Sequence, residues 1–440
     1  MGVILGGSPN VTVNGMPVAR EGDEVTGSGS AGPPGPPGPP GADGSDGAPG
    51  ANGVSPTITV GNTITLTPGS TATVNSTGNS TSLVLNFGIP KGDEGITRFK
   101  NILHNGNFNF WQRGTTGNTA PGGLFLADRW SNLTAGGTTI SVSRQPFTAG
   151  QTDVPNEPVY YWQCVVTSNN GASDSTLLRQ WIEDVRTTTG RTMTLSFYAK
   201  ADTAGKKLAF EMAQVYLGSA PDLAIGVTQF TLSTSWQKFN YTFTSIPATG
   251  KTINSSNATF TQIGFWMDAG SSNNSRTGSL GNQSGTFSIA QVQLEYGNVA
   301  TDFEVMPLAV ELPILQRYYE HNFAGVNVFS PDGTPMPGNT SHYYVITTKI
   351  GPGGVAGSQY IPFKVQKKSN PTITFYSSDS ASSPNNQWQG LLASSWITAG
   401  ATAVARVSQA GFSADITFGT TLANGAGYTA QGNWTADTGY

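Results

Sequence analysis

Apolar and polar residues alternate with a period of two through much of this chain. Met193, Leu195 and Phe197 are interleaved with Thr194, Ser196 and Tyr198. Leu208/Phe210/Met212, Phe239/Tyr241/Phe243 and Ile263/Phe265/Met267 repeat the pattern, as do Ile361/Phe363/Val365, Ile373/Phe375, Val404/Arg406 and Phe412/Ala414/Ile416/Phe418. Earlier in the chain come Ile58/Val60, Ile64/Leu66 and Leu83/Leu85/Phe87. Successive side chains of a strand leave on opposite faces, so each run reads as a half-buried β-strand. Asn14-Gly15, Pro68-Gly69 and Thr77-Gly78-Asn79 read as turns between strands. Leu308, Leu312, Leu315 and Tyr319 stand at four-three-four spacing, which predicts one helix over 308–320. Pro313 either sits in its first turn or kinks it.

A different period governs residues 29–55. Glycine occupies every third position: Gly29, Gly32, Gly35, Gly38, Gly41, Gly44, Gly47, Gly50 and Gly53. Only glycine fits at the axis where three extended chains meet, so this register predicts a collagen triple helix. A flexible Pro/Gly linker would not hold glycine in phase through nine triplets. The expected particle is a parallel homotrimer with a rod about 80 Å long, at roughly 3 Å per residue.

Composition narrows the function. Charged residues are 11 % of the 440, against about 25 % in an ordinary domain. A net charge of −4 offers no basic field for nucleic acid and no polybasic arm for a lipid surface. Cys164 is the single cysteine, so no disulfide forms within the chain; a small buried apolar role is expected of it. No run approaches the ~20 apolar residues that span a bilayer. The short apolar run at the N-terminus lacks the basic flank and cleavage site of a signal peptide. The expectation is export by another route, such as release from a lysed cell as part of a virus. The triplets N-x-S/T at Asn75, Asn79 and Asn132 are expected by chance in so Asn-, Ser- and Thr-rich a chain.

Several strings carry family resemblances. GSPNVTVNGMPVAREGD (Gly7 to Asp23) resembles one repeat of the PAAR proteins, small trimeric caps of contractile tails and secretion spikes. The zinc-binding histidines of that family are missing, since His104 is the first histidine; residues 1–28 are expected to be the virion-attachment end. FGIPKGDEG (Phe87 to Gly95) resembles the close of short β-inserts in collagen-like regions of phage tail proteins, with Gly92 and Gly95 restarting a triplet. Residues 56–95 are thus expected to clamp the trimer, since a bacterially made collagen lacks hydroxyproline. NILHNGNFNFWQRGT (Asn101 to Thr115), LADRW (Leu126 to Trp130) and VQLEYGNVATDFEVMPLAVELPILQRYYE (Val292 to Glu320) resemble the two ends of a domain common in phage tail-fibre and receptor-binding proteins. That resemblance implies a jelly roll like those of carbohydrate-binding modules over 96–307, followed by the helix at 308–320. FKVQKKSNPTITFYS (Phe363 to Ser377) resembles the distal domain of many tail fibres, which makes 321–440 the expected receptor-binding tip. The fold class is therefore all-β and multidomain: a collagen stalk with β-sandwich (jelly-roll) domains in a homotrimeric fibre.

Catalysis is not expected. His104, His321 and His342 are scattered, with no partner at ligand spacing. There is no G-x-S-x-G elbow and no phosphate loop. Glu183 and Asp184 are adjacent, which on a strand sends them to opposite faces. No cofactor is expected, and calcium enters only through the jelly-roll resemblance, without a dense Asp cluster. Glycan binding through aromatic rings is the better candidate. Trp111, Trp130, Trp162 and Trp236 read as core. Trp266 is out of phase with Ile263/Phe265/Met267 and shares a face with Asp268, which makes the pair a candidate sugar platform or a contact to a neighbouring protomer. Tyr376, Trp388, Trp396 and Trp434 are further candidates, with inter-chain packing as the alternative. The reading is a phage fibre protein, bound to a tail or head protein at its N-terminus and to host surface glycan at its C-terminus. It inserts in no membrane and is extracellular after release. A bacterial collagen-like surface adhesin and a polysaccharide hydrolase are the alternatives.

Overall fold

The computed structural model describes residues 3–5, 12–13, 16–17, 24–26, 55–67, 70–91, 99–119, 123–253, 259–323, 344–349, 359–376, 388–392, 395–418 and 427–439. The glycines Gly29 to Gly53, the Pro68-Gly69 pair and His342 lie outside these residues. The chain divides into two compact units, Met1–Glu94 and Gly95–Tyr440.

In the first unit, Val3–Leu5 pairs with Glu24–Thr26, and Thr12–Val13 pairs with Met16–Pro17 with Val13 opposite Met16. A three-stranded sheet follows. Ser82–Pro90 lies between Thr57–Leu66, which is parallel to it, and Thr73–Asn79, which is antiparallel. Two sequence expectations change here. Gly78 lies inside a strand, at φ +121°, and the reversal falls on Ser80 and Thr81 instead. Ile58/Val60 and Ile64/Leu66 belong to one strand, whose register slips between Val60 and Thr63. That slip moves Ile64 and Leu66 to the other face. Ile58, Val60, Val74, Leu83, Leu85, Phe87 and Ile89 thus share one side of the sheet. Most of that side is bare: Ile58 is 62 % exposed, Val60 71 %, Val74 59 % and Ile89 54 %.

The second unit opens with a sandwich of two six-stranded antiparallel sheets. The first sheet runs Asp222–Thr231, Lys207–Val215, Phe260–Ala269, Ser175–Glu183, Trp130–Ala135, Leu124–Phe125. The second runs Gln237–Thr244, Thr192–Ala201, Gly285–Tyr296, Tyr160–Thr167, Thr139–Pro146, Thr116–Asn118. The alternating residues face each other across the gap: Leu208, Phe210, Met212, Ile263, Phe265 and Met267 from one sheet meet Met193, Leu195, Phe197, Phe287 and Ile289 from the other. Trp111, Trp130, Trp162 and Cys164 join this core as expected, and burial pushes the Cys164 thiol well up. Trp236 does not. It lies half-buried on the outside, with Phe147 and Tyr161 at 5.3 and 5.1 Å and the Lys200 ammonium over its ring.

The NGNFNFWQRG string is scaffolding. Asn105 is fully buried; its Nδ2 donates to the Phe110 and Asp128 carbonyls, and its own carbonyl accepts from Trp130 Nε1. Trp111 Nε1 donates to the Phe108 carbonyl at 2.7 Å, and Gln112 Nε2 to Asp128 at 2.7 Å. Gly106 cannot carry a side chain, since a Cβ there would lie 2.1 Å from the Val292 carbonyl oxygen. The opening and closing strings of this domain are therefore locked together at their backbones.

The helix spans Leu308–Gln316 and holds Pro313 in its interior. Its buried side differs from the apolar stripe read in the sequence. Leu308 is exposed and Tyr319 belongs to a strand, while Glu311, Leu315 and Gln316 are buried. Glu311 earns its burial by accepting from the Asn105 N–H at 2.7 Å.

The C-terminal strands form one rolled antiparallel sheet around the long strand Gly427–Asp437. That strand pairs with Tyr319–His321, Tyr344–Lys349, Thr372–Tyr376 and Gln389–Leu392. Ser395–Val407, Gly411–Phe418 and Gln359–Pro362 extend the sheet. Its core is Ile361, Phe363, Phe375, Trp388, Phe412, Ile416 and Trp434. The roll is tied to the sandwich: Arg113 forks onto Asp437 at 2.9 and 3.1 Å, and Arg317 onto Glu183 at 3.1 and 3.2 Å. The expected boundary at 321 thus falls inside a strand.

Candidate functional site

The aromatic candidates from the sequence are mostly packed within the chain. Trp266 does leave the main core, as its phase implies, but Leu177, Ala209 and Leu280 cover it and the Arg276 guanidinium lies 4.9 Å from its ring centre. Asp268 is fully buried and accepts from Thr138 Oγ1, Asn282 Nδ2 and the Gln283 N–H. It is a loop fastener, and the pair offers no open platform. Trp388 lies edge-on to Phe375 at 5.5 Å and donates from Nε1 to the Asn433 carbonyl; Trp434 packs on Phe412 at 5.2 Å. Both are core residues of the rolled sheet, because that sheet curls over segments that look polar and loop-like in sequence. Tyr376 is half-buried beside Phe323, and burial raises its phenol. Trp396 pairs by backbone with Leu391, and its side chain lies outside the described residues.

A different cluster stands on the outer face of the first sheet. The strand Ser175–Glu183 sends Leu178 and Ile182 into the core, and Leu177, Arg179 and Trp181 to the other side. Trp181 is half-buried. Phe125 flanks it at 5.9 Å from the neighbouring part of the sheet and Phe260 meets it edge-on at 6.0 Å. Its Nε1 donates to Gln262 Oε1 at 3.1 Å. The Arg179 guanidinium lies over the same indole, 4.3 Å from its centre. One row further across, Arg276 is bound to Glu211 through its Nε/Nη2 edge, with Nε to Oε2 at 3.0 Å. Burial raises the Glu211 carboxyl, against the pull of Arg276.

The face therefore combines flat aromatic surface with polar groups held at fixed angles. Among the described residues, Arg179 Nε and Ser131 Oγ have no hydrogen-bond partner, and both atoms are closed off from solvent. Such a surface can stack the apolar side of a sugar ring and hydrogen-bond its hydroxyls. The signal was present in TLLRQWIE, where Leu177/Arg179/Trp181 alternates with Leu178/Gln180/Ile182. With large residues on both faces, periodicity could not tell which side was core. Among the described residues there is no cluster of three or more His, Cys, Asp or Glu able to hold a metal, and no helix long and apolar enough to cross a membrane.

No protein-family model matches the chain, and no curated protein matches it. Among solved structures it is similar to a CBM4 structure, at 17 % identity over 44 % of this chain and 99 % of that one, with a TM-score of 0.27. It is also similar to a family 11 carbohydrate-binding module from Clostridium thermocellum in complex with a β-1,3-1,4-mixed-linked tetrasaccharide, at 12 % identity over 43 % and 99 %, TM-score 0.25. A third is the enzymatically active domain of tailspike protein 4 from bacteriophage CBA120, at 11 % identity over 50 % of this chain and 28 % of that one, TM-score 0.28. Likeness at these identities and scores transfers no activity to this chain.

Proposed function

We propose that this chain is the subunit of a homotrimeric phage fibre that adsorbs to host cell-surface glycan without cleaving it. The N-terminal segment docks to the virion, the collagen-like triplets form the stalk, and the β-domains of 95–440 meet the host. The observation that carries the stalk is the bare apolar side of the sheet at 57–90, which directly follows the triplets. A three-stranded sheet with an uncovered apolar face is marginal by itself. Two further copies would cover it and hold the register of the adjoining triple helix. The outer face around Trp181 supports the glycan half of the reading. Single glycan contacts need only be weak, since three sites per fibre and several fibres per particle raise the effective concentration.

The test is adsorption of the labelled full-length protein to intact bacteria of a susceptible strain. The wild type is expected to bind, and to be displaced by that strain's purified surface polysaccharide. Trp181→Ala is expected to bind at least about 5-fold less well, since losing a ring stacked on a ligand costs about 1 kcal/mol or more. Equal binding by the variant would overturn the assignment of the face, and steady release of reducing sugar would overturn the non-enzymatic reading.

A further inference from the structure

Three arginines near the Trp181 face are held by carboxylates. Arg113 is paired with Asp437, Arg276 with Glu211 and Arg317 with Glu183. Arg179 makes no ion pair among the described residues. Its one hydrogen-bond contact is a long one, from Nη1 to Gln262 Oε1 at 3.5 Å, and that oxygen already accepts from Trp181. Its Nε is closed off from water with no acceptor. Two carboxylates of neighbouring strands and loops are engaged elsewhere: Glu211 with Arg276 and Glu183 with Arg317. The charge that bears most on Arg179 is Arg276, which is of like sign. A partly desolvated cation beside another cation is costly to keep unless something anionic arrives to meet it.

The placement is also that of a receptor group. The Arg179 guanidinium carbon rests 4.3 Å from the centre of the Trp181 ring. Its Nη2 reaches toward Gly123, lying 3.9 Å from where a Cβ on that residue would stand. The Asn132 carbonyl oxygen lies 3.3 Å from that same point. Ser131 Oγ, also without a partner, lies 3.2 Å from the same point.

From this geometry we infer that the outer face of the first sheet binds an acidic glycan, with the carboxylate of a uronic-acid-type residue seated on the Arg179 fork and a neighbouring ring stacked beside Trp181. The inference rests on the glycan-binding reading above and sharpens it to a substrate class. A carboxylate matches the two parallel N–H vectors of a guanidinium, whereas a neutral hydroxyl leaves the charge unmet.

The experiment is calorimetric titration of the full-length protein with polygalacturonate, alginate and hyaluronate. Each is used in its native form and after carboxyl reduction, which turns each –COO⁻ into –CH₂OH on the same ring. At least one native polymer is expected to bind 10-fold or more tighter than its reduced form. Arg179→Gln is expected to weaken binding of that polymer about 10- to 100-fold and to leave the reduced form unchanged, as a lost charge-assisted hydrogen bond implies. Arg179→Lys, which keeps the charge and loses the fork, should fall between. Should a variant fail to fold, the wild-type comparison of native and reduced polymers still decides the matter. Equal affinity for native and reduced polymers, with Trp181→Ala abolishing both, would overturn the acidic class and leave glycan binding standing. No binding to any polymer in either form would overturn the acidic-glycan inference, while the adsorption test with the host's own polysaccharide decides glycan binding separately.

Discussion

Glu320 and Lys367 form an ion pair with both side chains fully buried, where the chain passes from the helix into the rolled sheet. Lys367 Nζ also donates to the Gln316 carbonyl at 2.6 Å and the Val365 carbonyl at 3.2 Å. The Glu320 carboxylate accepts from the Lys364 N–H at 3.1 and 3.2 Å. Burial pulls the Lys367 amine down and Glu320 pulls it back up. Replacing Lys367 with Met removes the cation and leaves a carboxylate in a dry site with only one backbone donor. Stranding one partner of a buried pair costs about 3–5 kcal/mol. At about 2–4 °C per kcal/mol for a large domain, Tm should fall by roughly 6–20 °C. The double variant Glu320→Gln/Lys367→Met should recover most of that loss, because a neutral amide needs no counter-charge. Calorimetric or denaturant unfolding of the four members of the cycle gives the coupling directly. A loss under about 1 kcal/mol in Lys367→Met, or a double variant as unstable as the sum of the singles, would refute a paired buried charge.

Other outcomes follow from the same geometry. Burial raises the Glu311 carboxyl to about 7, so its protonated form favours the folded state. That stability is present below the unfolded value of 4.5 and lost as pH rises through about 7. Glu311→Gln should therefore gain on the wild type by up to about 3 kcal/mol between pH 5 and pH 8, and a Tm difference that stays constant with pH would count against it. Trp388→Ala should cost about 3–5 kcal/mol by emptying the rolled core, read as loss of near-UV ellipticity; a stable variant with reduced glycan binding would instead restore Trp388 as a contact residue. Val60→Asp with Val74→Asp should break the proposed trimer, because it places charge on the bare apolar side of the sheet at 57–90; an unchanged sedimentation coefficient would be contrary evidence. Gly38→Val should lower the melting transition of the proposed stalk, since only glycine fits a triple-helix axis, and an unshifted transition would argue for a plain linker.

Much of the sandwich was legible because its core faces follow period two. Met193/Leu195/Phe197 and Ile263/Phe265/Met267 lie where their alternation puts them. The site was less so. Trp266 was correctly read as turned away from Ile263 and Phe265, but its cover comes from Leu280 and Arg276, residues beyond the strand that alternation does not register. Trp388 and Trp434 sit among polar neighbours in sequence, yet the curl of the Gly427–Asp437 strand brings both under Phe375 and Phe412. Arg179 and Trp181 were hidden by the opposite problem: their strand carries large side chains on both faces, so the outer one read as more core. On the helix, the apolar stripe predicts burial of Leu308, whereas polar Glu311 is buried and Leu308 exposed, because the backbone N–H of Asn105 needs the Glu311 carboxylate as its acceptor.

Light scattering on the purified full-length chain tests the assembly on which the proposed function depends. Three copies wound together predict a particle of three times the 45.9 kDa chain mass, which falls to one chain mass when the stalk and clamp are melted. A monodisperse species of single-chain mass under native conditions would contradict the account.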